Sequence, residues 1–207
     1  MDRVQQGPYG DARLMPTAPE LERGSPGTRG DILVVVPCGR RKIWDREPET
    51  GPVCARDAYV GAAFHWNRLY AETFASAWVI LSAKYGFLRP DDQIVGPYNV
   101  TFGTRETEAI DSQTLRQQVA YQGLHRYGAV VALGGKRYRE HIHDAFAGDG
   151  ARILAPFAGL AIGKYLQAVR RSIESRESML DSPSPSTHAA DVGSGIAESH
   201  GAEAPSR

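Results

Sequence analysis

The chain has 207 residues, 42% hydrophobic and 23% charged, and its 24 Lys and Arg balance its 24 Asp and Glu. These totals predict one globular domain, and no apolar run of about 18 residues predicts a membrane span. The first residues lack the apolar stretch of a secretory signal, so we expect a cytoplasmic location. Two cysteines exclude a disulfide framework, and no Cys/His clustering indicates a metal, so no cofactor is expected.

Charge is unevenly distributed along this neutral chain. Residues 31–173 carry 18 basic and 14 acidic side chains, whereas residues 174–207 carry 2 and 6. Residues 1–30 and 175–207 are rich in Pro, Gly, Ser or Ala without hydrophobic periodicity, which is typical of disordered tails. The expected α/β domain therefore spans residues 31–174, and its slight basic excess is too small to identify a nucleic-acid-binding protein.

Strand and helix patterns alternate through this domain. Four short aliphatic runs predict strands: DILVVVPC (31–38), WVILSA (78–83), AVVALGG (129–135) and ARILAP (151–156). Amphipathic stretches predict helices over residues 55–75, 111–128, 136–148 and 159–175. This alternation predicts an α/β fold with a mostly parallel sheet flanked by helices, a three-layer sandwich.

Polar and glycine-containing segments follow the predicted strands. Ligands of open α/β sheets bind outside the carboxyl ends of the strands, so these segments are candidate site loops. In PCGRRK, Gly39 allows a close backbone approach, and Arg40, Arg41 and Lys42 either contact phosphates or form a solvated turn. Cys38 is either a nucleophile or a small buried apolar residue.

The first predicted helix adds two candidates. Asp57 is expected to cap the start of this helix. Tyr59 either stacks on a base or sugar or packs in the core.

The segment LSAKYGFLRPDDQIVGPYNVTFG (81–103) carries an unusual concentration of polar and aromatic groups. Gly86 permits a tight turn, and Pro90 fixes a bend before Asp91 and Asp92. A second turn, GPYN, returns Tyr98 and Asn99 toward the same region. A carboxylate, an amide and an aromatic ring together suit activation of water, reading of a base edge and stacking on a base. The alternative is a structural loop whose Asp and Asn bind their own backbone.

The later motifs are less specific. LGGKRYRE offers backbone amides and Lys136 to a phosphate, but it lacks the P-loop pattern, and no dinucleotide fingerprint occurs. His141 and His143 are two residues apart on a predicted helix, so they face different sides and do not share a metal. Gly159 and Gly163 are spaced to lie on one helix face.

The segments VVVPCGRRK, ARDAYVGAAF, WVILSAKYGFLRPDDQIVGPYNVTF, GGKRY and GLAIGKYLQ, in this order, resemble a family of bacterial and phage proteins of unknown function related to the YaaA peroxide-stress proteins. The resemblance covers about residues 31–170. It implies DNA binding or oxidative-stress protection, and distantly similar domains look related to uracil-DNA glycosylases. The residues that it marks are Cys38, Tyr59, Ser82, Lys84, Tyr85, Gly86, Asp92, Tyr98, Asn99, Gly135 and Tyr138.

The preferred hypothesis is an enzyme that hydrolyses an N-glycosidic bond of a nucleobase-bearing substrate, either DNA, RNA or a nucleoside. Asp92, or Asp91 in its place, would act as the catalytic carboxylate, and Asn99 would bind the base. Tyr85 or Tyr98 would stack on the base. Lys84, Arg40 and Lys42 would hold phosphate.

Two alternatives to this hypothesis are open. One is a non-catalytic DNA- or RNA-binding or stress-protection protein that uses the same loops, and the other is a redox-active thiol at Cys38. No membrane partner is expected, and the oligomeric state is undetermined.

Overall fold

The computed structural model describes residues 31–103 and 109–178. Its strands are β1 (Ile32–Pro37), β2 (Val53–Cys54), β3 (Ala77–Ser82), β4 (Gly86–Leu88), β5 (Gln93–Ile94), β6 (Ala129–Ala132) and β7 (Arg152–Leu154). Its α-helices are α1 (Ala55–Ala58), α2 (Ala62–Phe74), α3 (Ser112–Tyr121), α4 (Lys136–Ala145) and α5 (Ile162–Ser175). Two 3-10 helices lie at Ile43–Asp45 and Leu124–Arg126.

The main sheet has the strand order β4-β3-β1-β6-β7. Four of its strands are mutually parallel, and β4 runs antiparallel to β3 at one edge. The predicted mostly parallel sheet is therefore confirmed. A separate antiparallel pair joins β2 to β5, two strands that the sequence patterns did not predict.

Helices cover both faces of this sheet. In β1, Val34 and Val36 pack with residues of α2 and α5, whereas Leu33 and Val35 pack with residues of α3 and α4. All four side chains are fully buried, and each burial stabilises the fold by about 1.5–3 kcal/mol. A strand that is covered on both faces requires an aliphatic run without alternating polar residues, which β1 has. The predicted three-layer arrangement is therefore confirmed.

The strand order places a topological switch point between β1 and β6. The chain leaves β1 through α2 to reach β3, then passes through α3 to β6 on the other side of β1. Loops diverge in opposite directions there and leave a crevice at the carboxyl edge. Gly134 turns the chain out of β6 with φ 93°, and a Cβ at this position would lie 2.7 Å from Cγ of Pro37.

The predicted helix over residues 55–75 is wrong in one respect, because the structure divides it. Tyr59 has extended backbone angles (φ −110°, ψ 117°) and forms a β-bridge with Lys42, so the chain leaves the helical path between α1 and α2. Asp57 does not cap the helix as expected. Cys54 precedes α1, and the Asp57 carboxylate accepts from Arg68 at 3.1 Å.

The other three helices are also shorter than predicted, and α4 ends at Ala145 rather than at residue 148. Helix α3 ends at Tyr121, and Gly123 follows it with φ 69°. Helix α5 begins only at Ile162, because Gly159 adopts φ 79° before it. The expectation that Gly159 and Gly163 share a helix face is therefore wrong.

Gln118 of α3 and Gln122, which directly follows α3, bind the outer edge of β4. The Phe87 amide donates to Gln118 Oε1 at 2.7 Å, and Gln118 Nε2 donates to the Tyr85 carbonyl at 2.9 Å. Gln122 Nε2 donates to the Phe87 carbonyl at 2.8 Å. Gly86, with φ 74°, leaves the space that Gln118 occupies, since a Cβ there would lie 2.0 Å from Gln118 Oε1.

The predicted tails lie mostly or wholly outside the described residues, which begin at Asp31 and end at Ser178. Within the described part of the chain, no helix has the length and apolarity needed to cross a bilayer.

Candidate functional site

The carboxyl ends of three neighbouring strands bring polar side chains together. Cys38 directly follows β1, Ser82 ends β3, and Tyr138 lies in the first turn of α4, which follows β6. Tyr59 reaches the same edge from the break between α1 and α2, and Tyr98 reaches it from the segment after β5. These residues are called the edge cluster below.

Hydrogen bonds join three hydroxyl groups of the edge cluster in a row. The Ser82 and Tyr98 oxygens are 2.9 Å apart, and those of Tyr98 and Tyr59 are 2.6 Å apart. Ser82 Oγ also accepts from the amides of Lys84 at 3.1 Å and Tyr85 at 3.2 Å. Since these two amides use both lone pairs of Ser82, its hydroxyl must donate to Tyr98.

This acceptor count fixes the direction of the first bond of the row. Tyr98 accepts from Ser82, and because its oxygen has a second lone pair, its bond to Tyr59 can run in either direction, so one phenolic hydrogen of the Tyr59–Tyr98 pair is left for a further acceptor. The row is fixed at one end by the tight β3–β4 turn, in which the two amides converge on Ser82. The edge cluster therefore presents one phenolic hydrogen-bond donor.

A thiol lies at the switch point beside a phenol. Cys38 Sγ and the Tyr138 hydroxyl are 3.1 Å apart, and the Cys38 amide donates to the Leu81 carbonyl at 3.0 Å. The contact spans the crevice between β1 and the start of α4. Cys38 and Cys54 are both free thiols.

Two lysines and a second ring surround Tyr98. The Lys42 ammonium lies 4.3 Å from the ring centroid of Tyr98, and the Lys84 ammonium lies 5.5 Å from it. The Tyr85 ring meets the Tyr98 ring edge-on with centroids 5.1 Å apart. Cation–ring contacts of this kind stabilise the ammonium by about 0.5–2 kcal/mol, depending on how far water is excluded.

Burial shifts the titration of the edge cluster. Desolvation raises the pKa of Tyr59, Tyr98 and Tyr138 well above the usual range of a phenol. Desolvation also lowers the pKa of the Lys42 ammonium, and Cys38 and Asp45 partly offset that shift. At neutral pH the phenols are therefore uncharged hydrogen-bonding groups.

An open depression of about 360 Å³ adjoins the edge cluster at Tyr59. Its wall is made of basic, aromatic and small side chains together with the start of α2, namely Arg41, Arg56, Tyr59, Val60, Gly61, Ala62, Phe64, His65, Trp66 and Arg68. The Tyr59 ring packs against Phe64 with centroids 5.0 Å apart, while its hydroxyl bonds to Tyr98. Tyr59 thus belongs to both the edge cluster and the wall of the depression.

The structure brings together eight of the predicted site residues, which are Cys38, Lys42, Tyr59, Ser82, Lys84, Tyr85, Tyr98 and Tyr138. Gly86 forms the adjoining turn, and Gly135 precedes α4. Arg40 is exposed, and its carbonyl accepts from the Lys42 ammonium at 3.3 Å.

The predicted carboxylates make their contacts elsewhere. Asp92 Oδ2 accepts from the Arg89 amide at 2.7 Å, and the Asp92 amide donates back to the Arg89 carbonyl at 3.1 Å. Burial raises the pKa of Asp92, although the Arg89 amide partly offsets this. Asp91 is exposed and pairs with Arg56, and Asn99 is exposed. Within the described residues, no hydrogen bond joins these three side chains to the edge cluster.

Sequence reasoning missed the residues that support the edge cluster. Tyr165 of α5 accepts from the Gly134 amide at 3.0 Å and donates to Asn67 of α2 at 2.8 Å, so it fixes the turn out of β6. The only available signal was an aromatic residue on the apolar face of a helix, which predicts core packing equally well. Among the described residues, no group of three or more His, Cys, Asp or Glu side chains is arranged to hold a metal ion.

Comparison with known proteins identifies relatives of this chain. The model of a family of unknown function, DUF6884, matches residues 33–171. The uncharacterized protein YfjM of Bacillus subtilis (strain 168) is 43% identical over 148 residues, covering 71% of this chain and 98% of that protein. No solved structure matches. Since the family model runs from Leu33 in β1 to Arg171 in α5 and so matches more than half of the chain, the chain belongs to the DUF6884 family.

Proposed function

We propose that this chain is an enzyme that binds a nucleobase-bearing substrate at the edge cluster and hydrolyses its N-glycosidic bond. The observation that carries the proposal is the row Ser82, Tyr98 and Tyr59 beside Cys38 and Tyr138 at the switch point. Ligands of open α/β sheets bind at such crevices, and a row of neutral donors and acceptors suits the edge of a base.

Binding would use the groups that converge on Tyr98. The phenolic hydrogen that the Tyr59–Tyr98 pair leaves free is suited to a carbonyl or ring nitrogen of a base. Rings such as Tyr85 are suited to stacking, which contributes about 1–3 kcal/mol per base in single-stranded complexes. Asn99 is exposed in the segment that follows Tyr98, where its amide would reach the base edge on substrate binding.

The reaction breaks the bond between the sugar C1′ and the base nitrogen. The bonding electron pair leaves with the base, a water oxygen bonds to C1′, and the water proton passes to the departing base. Positive charge develops on the sugar as the base leaves, and an ionised carboxylate stabilises it. We assign this role to Asp92. Asp92 is half-buried and its charge is therefore less screened by water, whereas Asp91 is exposed and paired with Arg56, so Asp91 is the substitute.

The test is mass-spectrometric detection of free base after incubating the purified protein with DNA, RNA, nucleotides and nucleosides, both modified and unmodified. Asp92→Asn removes the charge but retains an oxygen that accepts from the Arg89 amide, so the turn is preserved. We expect base release to fall by at least about 100-fold in this variant.

Asp91→Asn is the matched control, because it removes an exposed carboxylate in the same turn. Release that survives in Asp92→Asn but is lost in Asp91→Asn would move the role to Asp91. Release that is equal in both variants and in the wild type would remove the carboxylate mechanism.

The second candidate is a non-catalytic nucleic-acid-binding or stress-protection protein of the YaaA type. Exposed cations favour it: Arg40 follows β1, Lys84 follows β3, and Lys136 and Arg137 begin α4, all at the carboxyl edge. The arginine-lined depression next to Tyr59 extends this surface. Binding that weakens steeply between 50 and 200 mM salt without any product would support this candidate over the enzyme.

The kinship with YaaA proteins and uracil-DNA glycosylases is part of the same proposal, as is a cytoplasmic location. The support for the kinship is the ordered set of segments from VVVPCGRRK to GLAIGKYLQ. The support for the location is the pair of free thiols, which is typical of reducing compartments.

A further inference from the structure

Lys42 is a buried lysine at the edge of the sheet. Only 7% of its surface is exposed, whereas lysines are almost never buried without a partner. Its backbone is held on two sides, because it bridges to Tyr59 and its amide donates to Asp45 Oδ2 at 2.9 Å. The backbone position of Lys42 is therefore fixed by the fold.

The ammonium of Lys42 has few partners for a buried charge. It donates to the Arg40 carbonyl at 3.3 Å and lies 4.3 Å from the Tyr98 ring centroid. In residues 31–103 and 109–178, no carboxylate lies within 4.0 Å of it. Asp45 binds the Lys42 amide and contributes only at longer range.

Such an arrangement is unfavourable in the free protein. An ammonium has three donors, and burying it without an anion costs several kcal/mol. The charged or titratable groups that face it are Cys38, Asp45 and Tyr98, and Tyr98 is a neutral phenol at physiological pH. The charge of the Lys42 ammonium is thus only partly compensated, by Asp45 at longer range.

We propose that Lys42 binds an anionic group of the substrate, so that the edge cluster selects a phosphorylated ligand, a nucleotide or a nucleic acid, over a neutral nucleoside. The inference rests on the part of the proposed function in which the edge cluster binds a nucleobase. It does not depend on hydrolysis of the N-glycosidic bond. Arg40 and Lys84 are exposed and solvated, so they attract many anions with little discrimination, whereas the desolvated Lys42 discriminates by charge.

The test compares inorganic phosphate, nucleoside monophosphates and the corresponding nucleosides, by calorimetry and by thermal shift, on the full chain. Lys42→Met keeps the aliphatic stem and removes the charge, and Lys42→Gln serves if the first variant does not fold. Lys164→Met is the matched control, since it removes an exposed ammonium of α5 that lies outside the edge cluster. We expect nucleotide affinity to fall at least about tenfold in the Lys42 variants and less than about threefold in Lys164→Met.

A second readout needs no ligand. Removing a buried charge that is only partly compensated is expected to raise the midpoint of thermal unfolding of the free protein. Nucleotide affinity that is unchanged in both Lys42 variants would overturn the inference, as would nucleosides binding as tightly as nucleotides to the wild type. Nucleotide binding without base release would contradict the proposed hydrolysis but not the role of Lys42 in binding an anionic group.

Discussion

Tyr98 is the residue on which the edge cluster depends. Its hydroxyl connects Ser82 to Tyr59, and its ring contacts Tyr85 and the Lys42 ammonium. One side chain thus couples a hydrogen-bonded row to a cation and to an aromatic wall. The segment GPYN predicted a turn that places Tyr98 near the site. The partners of Tyr98 could not be predicted, because they come from distant segments of the chain.

The variant Tyr98→Phe separates the hydrogen bonds of the Tyr98 hydroxyl from the contacts of its ring. The ring contacts remain, but Ser82 and Tyr59 each lose a buried partner, so we expect the free energy of unfolding to fall by about 1–3 kcal/mol. Urea denaturation measures this change. Val95→Ala, at a side chain that is 54% exposed, is the control and should change the value by less than about 0.5 kcal/mol. Equal effects of the two variants would contradict the hydrogen-bonded row.

At the level of elements, the strands were predictable and the irregular breaks were not. Unbroken aliphatic runs such as LVVV identify strands covered on both faces, because no polar residue has to face water. The break after α1 was hidden, since Tyr59 leaves the helix in order to bridge to Lys42, a tertiary contact with no local signature. Asp92 shows the same limit. Its type suggested catalysis, while its observed contact is with the Arg89 amide.

The β4 edge gives the clearest prediction at this scale. Gly86→Ala requires φ 74° of an alanine and brings its Cβ into Gln118 Oε1. We expect a loss of about 2–4 kcal/mol in unfolding free energy, measured by urea denaturation. Gly51→Ala is the control, because a Cβ there meets nothing within 4 Å.

The double variant Gly86→Ala with Gln118→Ala tests the cause of that loss. Removing the Gln118 side chain relieves the clash but not the backbone strain at residue 86. The losses of unfolding free energy in the two single variants should therefore sum to more than the loss in the double variant. Strict additivity would mean that the clash is absent.

For the molecule as a whole, buried phenols control the response to alkali. Tyr59, Tyr98, Tyr138 and Tyr165 all have a raised pKa in the folded state because burial disfavours the phenolate, and the pKa of Tyr165 is about 12. Above about pH 10 the unfolded chain loses phenol protons that the folded chain keeps, so stability falls as the pH rises. The stability due to Tyr165 is complete below pH 10 and is lost by about pH 12.

Tyr165→Phe should therefore flatten the alkaline unfolding profile. A shift of about two pKa units corresponds to about 3 kcal/mol, so the slope of unfolding free energy between pH 10 and 11.5 should decrease in this variant. The slope is the relevant readout, because the lost hydrogen bonds to Gly134 and Asn67 lower stability at every pH. A parallel displacement of the whole profile would show that Tyr165 does not titrate with folding.

Gln118 and Gln122, at the end of α3, have a consequence for crowded solutions. An edge strand usually leaves amides and carbonyls that can recruit a strand from another chain, which is a route to aggregation. At Phe87 the backbone amide and carbonyl are already hydrogen-bonded to the side chains of Gln118 and Gln122, which replace the backbone of a neighbouring strand. An invading chain would have to displace these amides before it could pair there, so this edge is closed to sheet growth from outside.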